Sequence, residues 1–282
     1  MIFKKTLTLA NGVTIPQLAL GTWFIDDDKA AEAVRNAAEI GYRHIDTAQA
    51  YGNERGVGEG VCTCGIAREE IFVTSKVAAE HKDYKTAAAG IDETLRKMGL
   101  DYVDMMIIHS PQPWKEVNQS DNRYIEGNRE AWRALEDAYK AGKLRSIGVA
   151  NFMEDNFRRL CDNCTVTPAV DQVETHIFRQ QKGLRRLLDE KGVIHESWSP
   201  LACGRNGFFR NPVLLRIAEK YGKTAAQVGL RFLYQQDIVI IPKSTHIERM
   251  RENLDILEFS LTDSEMRDLS ALDLGKSLFG WW

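Results

Sequence analysis

The chain lacks any apolar run approaching the ~18 residues that a membrane-spanning helix needs, so no transmembrane segment is expected. Its first residues, Met1-Ile-Phe-Lys-Lys-Thr6, place charge after the apolar pair and contain no long apolar stretch, so a secretory leader is not expected either. Cysteine is scarce and odd in number, five in 282 residues, which argues against a disulfide framework and suits a reducing compartment, the cytoplasm by default. Cys161-Asp-Asn-Cys164 has the spacing of a redox or metal pair but no second half, and Cys62, Cys64 and Cys203 are scattered. Basic surplus is absent too: a formal net charge of −3 argues against a general nucleic-acid binder.

Two further absences narrow the chemistry. No Gly-x-Gly-x-x-Gly follows an early strand; Gly56-Val-Gly58-Glu-Gly60 has the wrong spacing and sits in a helical pattern, which argues against a Rossmann dinucleotide site. His44, His109, His176 and His195 show no His-x-His or comparable metal spacing, so a metal-dependent hydrolase is a weak alternative and no metal is expected. No internal repeat, low-complexity tract or linker interrupts the chain, and residues 1–282 read as one domain.

What is present is a long alternation. With 44% hydrophobic and 27% charged residues, the chain can bury a large core. Eight short apolar runs recur: Leu18 to Gly21, Arg43 to Asp46, Ile71 to Ser75, Val103 to His109, Arg145 to Ala150, Ala169 to Val173, Val193 to Ser197 and Ile238 to Pro242. Between them lie amphipathic segments in which Ile91, Leu95 and Met98, or Trp132, Leu135 and Tyr139, share a helical face. Gly99, Gly142, Gly192 and Gly222 stand where such helices stop. Eight β-α units are the number that closes a (β/α)8 TIM barrel, an α/β fold. Ahead of them, Leu7-Thr-Leu-Ala-Asn-Gly-Val-Thr-Ile15 places Asn-Gly between two apolar stretches, a hairpin signal.

Four residues stand where β-like runs give way to loops: Asp46, Tyr51, Lys76 and His109. Active sites of barrels are built on that face. Taken singly, each is an ordinary loop or structural residue. As an ordered set, within Gly41-Tyr-Arg-His-Ile-Asp-Thr-Ala-Gln-Ala-Tyr51, Thr74-Ser-Lys76 and Ile107-Ile-His109, they resemble the aldo-keto reductases over nearly the whole chain. The resemblance implies a barrel capped at its N-terminal end by the hairpin, and an enzyme that reduces carbonyls with a nicotinamide cofactor. It makes Tyr51 the proton donor, Lys76 and Asp46 its tuning pair, and His109 the orienting residue. A phenol titrates near ~10, holding its proton at neutral pH, and a nearby ammonium should lower that value and ease donation. Asp46 should keep a partly desolvated Lys76 charged.

The cofactor segment follows from the same likeness. Ile240-Ile-Pro-Lys-Ser-Thr-His-Ile-Glu-Arg-Met-Arg-Glu-Asn253 is similar to the family's signature at the end of the last strand. Lys243, Ser244 and Arg249 offer two cations and a hydroxyl, suiting the 2′-phosphate of NADPH better than NADH, and Glu252 and Asn253 fall against the adenine. Glu196-Ser-Trp-Ser-Pro-Leu201 resembles the segment whose aromatic ring stacks on the nicotinamide, implying Trp198 for stacking and Ser199 and Leu201 for the pyrophosphate side. Gly21 and Thr22 join the cofactor contacts, while Asn151 and Gln172 match the carboxamide positions. Gly148-Val-Ala-Asn-Phe152 departs from the family pattern: Ala150 replaces a serine, removing one hydrogen bond of about 0.5–1.5 kcal/mol.

Trp23 and Trp114 are placed as an apolar wall beside the carbonyl site, suiting aldehydes and small dicarbonyls, and the expected substrates are aldehydes, α-dicarbonyls such as methylglyoxal, or keto sugars. The ending Leu278-Phe-Gly-Trp-Trp282 is shorter than the tail of many relatives, which predicts a more open mouth. Trp281 and Trp282 either fold back as a lid, pack on the barrel or mediate association. A small-molecule carbonyl is the expected partner, with no nucleic acid, no membrane and a monomeric state. The bacterial glyoxal and diketogluconate reductases are the most similar pattern; a cofactor-binding sensor or auxiliary subunit on the same barrel is the alternative.

Overall fold

The computed structural model describes residues 5–281. The leader reading on residues 1–4 and the reading of Trp282 lie outside them. The chain opens with an antiparallel hairpin of β1 (Thr6–Thr8) and β2 (Thr14–Pro16). Leu9 N–H donates to Val13 O and Gly12 N–H to Leu9 O, so the predicted Asn-Gly turn closes as a three-residue loop with Gly12 at φ 84°.

Eight parallel strands follow: β3 (Leu20–Gly21), β4 (His44–Asp46), β5 (Phe72–Val77), β6 (Met105–Ile108), β7 (Ile147–Ala150), β8 (Val170–Glu174), β9 (Ile194–Trp198) and β10 (Val239–Ile241). Each pairs with its sequence neighbours, in the order 3 to 10. The ring closes between its ends, where Ala19 N–H donates to Ile240 O, Ile240 N–H to Gln17 O and Gly21 N–H to Pro242 O. Each of the eight predicted runs coincides with one of these strands, β5, β8 and β9 extending one or two residues beyond the predicted end, and the sheet is a (β/α)8 barrel.

Helices α1 (Asp27–Ile40), α2 (Glu54–Thr63), α3 (Tyr84–Met98), α4 (Ile125–Lys140), α5 (Glu154–Cys161), α6 (Lys182–Lys191), α7 (Pro212–Tyr221), α8 (Ala225–Tyr234), α9 (Ile247–Leu254) and α10 (Asp263–Ser270) follow in chain order. In α3, Asp83 caps the start by accepting from Thr86 N–H at 2.8 Å, and Gly99 ends it at φ 65°. Between these ends Ile91 and Met98 turn into the core. The Gly56-Val-Gly58-Glu-Gly60 run lies in α2, where a Cβ on Gly56 would strike the Asp27 carbonyl and one on Gly58 the Met98 backbone. Those glycines let α2 settle onto α1 and α3; close helix packing, not a phosphate, explains the motif.

One apolar cluster fills the space between sheet and helices, and a second fills the barrel's lower interior. Leu9 and Ile15 of the hairpin reach into the second and pack with Phe72, Met105, Ile107, Val170 and Val239. Burying such side chains contributes roughly 1.5–3 kcal/mol each, which holds the hairpin as a plug on the N-terminal end. The opposite, C-terminal end is left open for a site.

Candidate active site

β4 ends in Asp46, β5 carries Lys76, a 3-10 turn over Gln49–Tyr51 presents Tyr51, and His109 follows β6. Strand pairing sets the floor: Ile45 lies opposite Val73 and Asp46 opposite Thr74. Lys76 Nζ donates to Asp46 Oδ1 at 2.6 Å and to Thr47 O at 2.8 Å, with both side chains of the ion pair buried. The ammonium lies 5.0 Å from the centroid of the Tyr51 ring, and that ring meets the His109 imidazole edge-on at 5.6 Å. The four predicted residues therefore converge.

Their electrostatics follow from burial. Desolvation acts to lower the Lys76 pKa, but Asp46 and Tyr51 outweigh it and the net direction is upward, so the ammonium stays charged. For Tyr51 burial raises the pKa, Lys76 opposes that and Asp46 adds to it; the net is upward. The lysine has the predicted sign, yet the phenol ends above its ordinary value, because desolvation exceeds one cation's pull. Burial, then Lys76, then Lys82 push His109 well below the usual imidazole range, leaving it neutral. Lys82 sits close by, donating to Ser110 O at 2.6 Å and Asn128 Oδ1 at 2.8 Å. His109 Nδ1 is buried without a hydrogen-bond partner.

Around this centre, Gln172 donates from Nε2 to Asp46 Oδ2 at 2.9 Å and to Glu196 Oε2 at 3.2 Å. Asn151, held at φ 65° beyond β7, donates to His109 O at 2.9 Å and accepts from Trp198 Nε1 at 2.8 Å. Ala150 joins the apolar interior cluster. A cleft of about 1200 Å³ opens from Tyr51, His109 and Trp198 across Ser199 and Leu201 to Lys243, Ser244 and Arg249. Gly21, Trp23, Asp46, Trp114, Glu252 and Asn253 line it as well. Ser244 is buried, its hydroxyl accepting from His246 N–H at 3.0 Å ahead of α9. Lys243 and Arg249 are exposed. Thr22 is the exception among the predicted contacts. It is fully buried and its hydroxyl donates to Asp46 O at 3.0 Å, so it braces the end of β4 and does not line the cleft.

The short tail returns to the mouth. Trp281 lines the cleft, 5.7 Å from Trp114 and 5.8 Å from Trp198 between ring centroids, so of the three alternatives for it the lid-like fold-back holds. Glu174, at the end of β8, anchors the return by accepting from Ser277 Oγ at 2.6 Å and Leu278 N–H at 2.9 Å. Sequence reasoning missed Glu174 and Glu196 as contributors. The signal was there: charged residues two apart from Gln172 and Trp198 on β-strands share their side of the sheet. The histidines do not gather. His44 bridges Pro16 O and Thr74 Oγ1, His195 meets Thr175 Oγ1, and His176 meets Glu174. Among the described residues, no three His, Cys, Asp or Glu side chains form a group able to hold a metal ion.

A parallel eight-stranded barrel with a tyrosine, a buried lysine–aspartate pair and a neutral histidine at its C-terminal mouth defines an oxidoreductase class. Residues 17–274 match the Aldo/keto reductase family, and the chain belongs to that family. It is 41% identical to the 9,11-endoperoxide prostaglandin H2 reductase of Trypanosoma cruzi, over 97% of this chain and 93% of that protein. Identity to the methylglyoxal reductase DkgA of Escherichia coli K12 is 38%, over 99% of this chain and 97% of that one. The glyoxal reductase of Bacillus subtilis is 41% identical, over 96% and 93%. The crystal structure of a Bombyx mori aldo-keto reductase in complex with NADP superposes with a TM-score of 0.88 at 31% identity, covering 98% of this chain and 95% of that one.

Proposed function

We propose that this oxidoreductase reduces aldehydes, α-dicarbonyls such as methylglyoxal, or keto sugars to alcohols with NADPH, Tyr51 giving the proton. The observation that carries the reading is the buried Lys76–Asp46 pair at 2.6 Å beneath Tyr51, beside a neutral His109, in one cleft with Lys243 and Arg249. Likeness to reductases named for glyoxal and methylglyoxal supports the substrate class. The chain works as one domain over residues 1–282, as a cytoplasmic monomer; no helix among the described residues is long and apolar enough to cross a membrane.

The cleft's donor set suits NADPH. Two exposed cations, Lys243 and Arg249, beside the Ser244 hydroxyl match a phosphate ester, and Glu252 and Asn253 take the adenine. Trp198 offers an aromatic face, and Gln172 and Asn151 offer amides for the nicotinamide carboxamide, with Gly21, Ser199 and Leu201 along the way. Ala150 leaves that carboxamide one hydroxyl fewer. NADH binds the same cleft without the 2′-phosphate contacts.

When bound, the cofactor supplies hydride to the carbonyl carbon. The protein supplies the rest. Tyr51, protonated because burial lifts it, gives its hydroxyl proton to the carbonyl oxygen as negative charge develops there. Lys76 stabilises the phenolate left behind, Asp46 keeps Lys76 charged, and solvent returns the proton. His109, neutral, donates an N–H to the same oxygen and orients it. Trp23, Trp114 and His109 wall the substrate end. The test is oxidation of NADPH, then NADH, against methylglyoxal, phenylglyoxal, aromatic aldehydes and keto sugars. Fast NADPH-dependent turnover of dicarbonyls supports the reading, and tight cofactor binding without turnover of any carbonyl overturns it.

A further inference from the structure

Gln172 has two amide N–H bonds and gives both to carboxyl groups, Asp46 Oδ2 at 2.9 Å and Glu196 Oε2 at 3.2 Å. Strand pairing builds this arrangement. Gln172 on β8 and Glu196 on β9 are direct partners in the parallel register, so their side chains leave the sheet on the same side, toward the barrel axis where Asp46 waits. Both N–H bonds hold the amide in this orientation, since turning it over would forfeit them and set its oxygen against the Asp46 carboxylate. The remaining hydrogen-bonding group of Gln172 is its carbonyl oxygen, on a residue that lines the cleft.

Asp46 alone does not secure this orientation. It already serves Lys76, and it accounts for one N–H only. The second N–H is held by Glu196, which is fully buried and whose other oxygen, Oε1, has no partner. A fully buried carboxyl in a barrel interior costs several kcal/mol unless it is neutral or well bonded, so a residue without a task is not expected there. The groups facing it are Asp46 from β4, Lys76 from β5 and Gln172 from β8, while Asp171, next to Gln172 on β8, lies on the other side of the sheet. Burial first, then Asp46, raise its pKa to about 8, so at neutral pH it accepts from Gln172 without adding a second anion beside Asp46.

We propose that Glu196 is a positioning residue: by holding the second N–H of Gln172 it fixes that amide with its oxygen toward the cleft, so that the site selects a carboxamide able to donate an N–H. This rests on the reading of the cleft as the nicotinamide site. Asn151 works in parallel, its own amide pinned between His109 O and Trp198 Nε1.

The test compares binding of NADP with its acetylpyridine analogue, in which a methyl ketone replaces the carboxamide and no N–H remains. Quenching of intrinsic tryptophan fluorescence reads both affinities. Wild type favours NADP by about two- to tenfold, the contribution of one neutral hydrogen bond. Glu196→Gln keeps that preference, because its side-chain oxygen still accepts from Gln172. Glu196→Met, which keeps length and loses the acceptor, brings the ratio to one or below, as Gln172 turns its N–H toward the ketone; Glu196→Leu serves if the Met variant does not fold. Gln172→Leu abolishes the preference by removing the acceptor itself. A preference lost in Gln172→Leu but intact in Glu196→Met overturns the role of Glu196 and leaves the site assignment standing. A preference indifferent to Gln172→Leu overturns both.

Discussion

Lys76 Nζ and Asp46 Oδ1 lie 2.6 Å apart on the floor of the cleft, with side-chain exposures of 0% and 4%. A pair this deep is held for what it does to its neighbours, since its own desolvation offsets much of the attraction between the charges. Removing one partner strands the other. Lys76→Met is expected to destabilise the protein by about 3–5 kcal/mol in urea unfolding, and the double variant with Asp46→Asn to recover part of that loss. Neither is expected to recover turnover. A double variant with near-native kcat contradicts the tuning role of the pair.

On the proposed reading, the cations at the far end of the cleft distinguish NADPH from NADH. Lys243→Ala combined with Arg249→Ala is expected to raise KM for NADPH by about tenfold or more, the worth of charge-assisted bonds, with little change for NADH. Equal effects on both cofactors contradict the phosphate-ester assignment.

Trp281 lines the cleft beside Trp114, and Glu174 holds the tail there through Ser277 and Leu278. Trp281→Ala is expected to raise KM for small dicarbonyls by about two- to tenfold, the scale of one aromatic contact, and to admit bulkier aldehydes. Glu174→Ala, which touches no substrate, is expected to shift selectivity the same way by loosening the tail. Unchanged steady-state constants in both variants contradict the lid.

Two buried histidines set a pH dependence. Burial lowers His44 to about 4, against smaller effects of Asp46 and the Pro16 carbonyl that raise it, and lowers His195 to about 3. In the unfolded chain both titrate near ~6.5. Between that value and the folded ones the unfolded state binds more protons, so stability rises with pH; it is fully present above ~6.5 and drains as pH falls toward 4 and 3. The melting temperature is expected to fall on acidification across this interval, and less steeply in His195→Gln. Parallel slopes in the two proteins contradict this account.

The barrel was legible because its signal is local. Apolar runs at strand spacing, helical faces such as Ile91 with Met98, and Gly99 as a stop are each read within a dozen residues, and all of them hold. Asp46, Tyr51, Lys76 and His109 were legible because strand ends locate them and the barrel brings strand ends together. What escaped depends on distance or depth. The contact of Leu278 with Glu174 spans 104 positions, so no local pattern announces that the tail returns. The upward shift of Tyr51 depends on how much solvent the finished fold removes, which a list of neighbouring charges does not contain. Thr22 is expected among the cofactor contacts, yet its hydroxyl is satisfied inside by Asp46 O.

The central claim is that Tyr51 donates the proton. Steady-state turnover of methylglyoxal in wild type and Tyr51→Phe, followed by the loss of NADPH absorbance, with NADPH affinity measured in parallel, tests it most directly. Loss of kcat by about 10²–10⁴-fold with cofactor affinity unchanged is the predicted result. A Tyr51→Phe enzyme that reduces methylglyoxal at close to the wild-type rate would contradict the account.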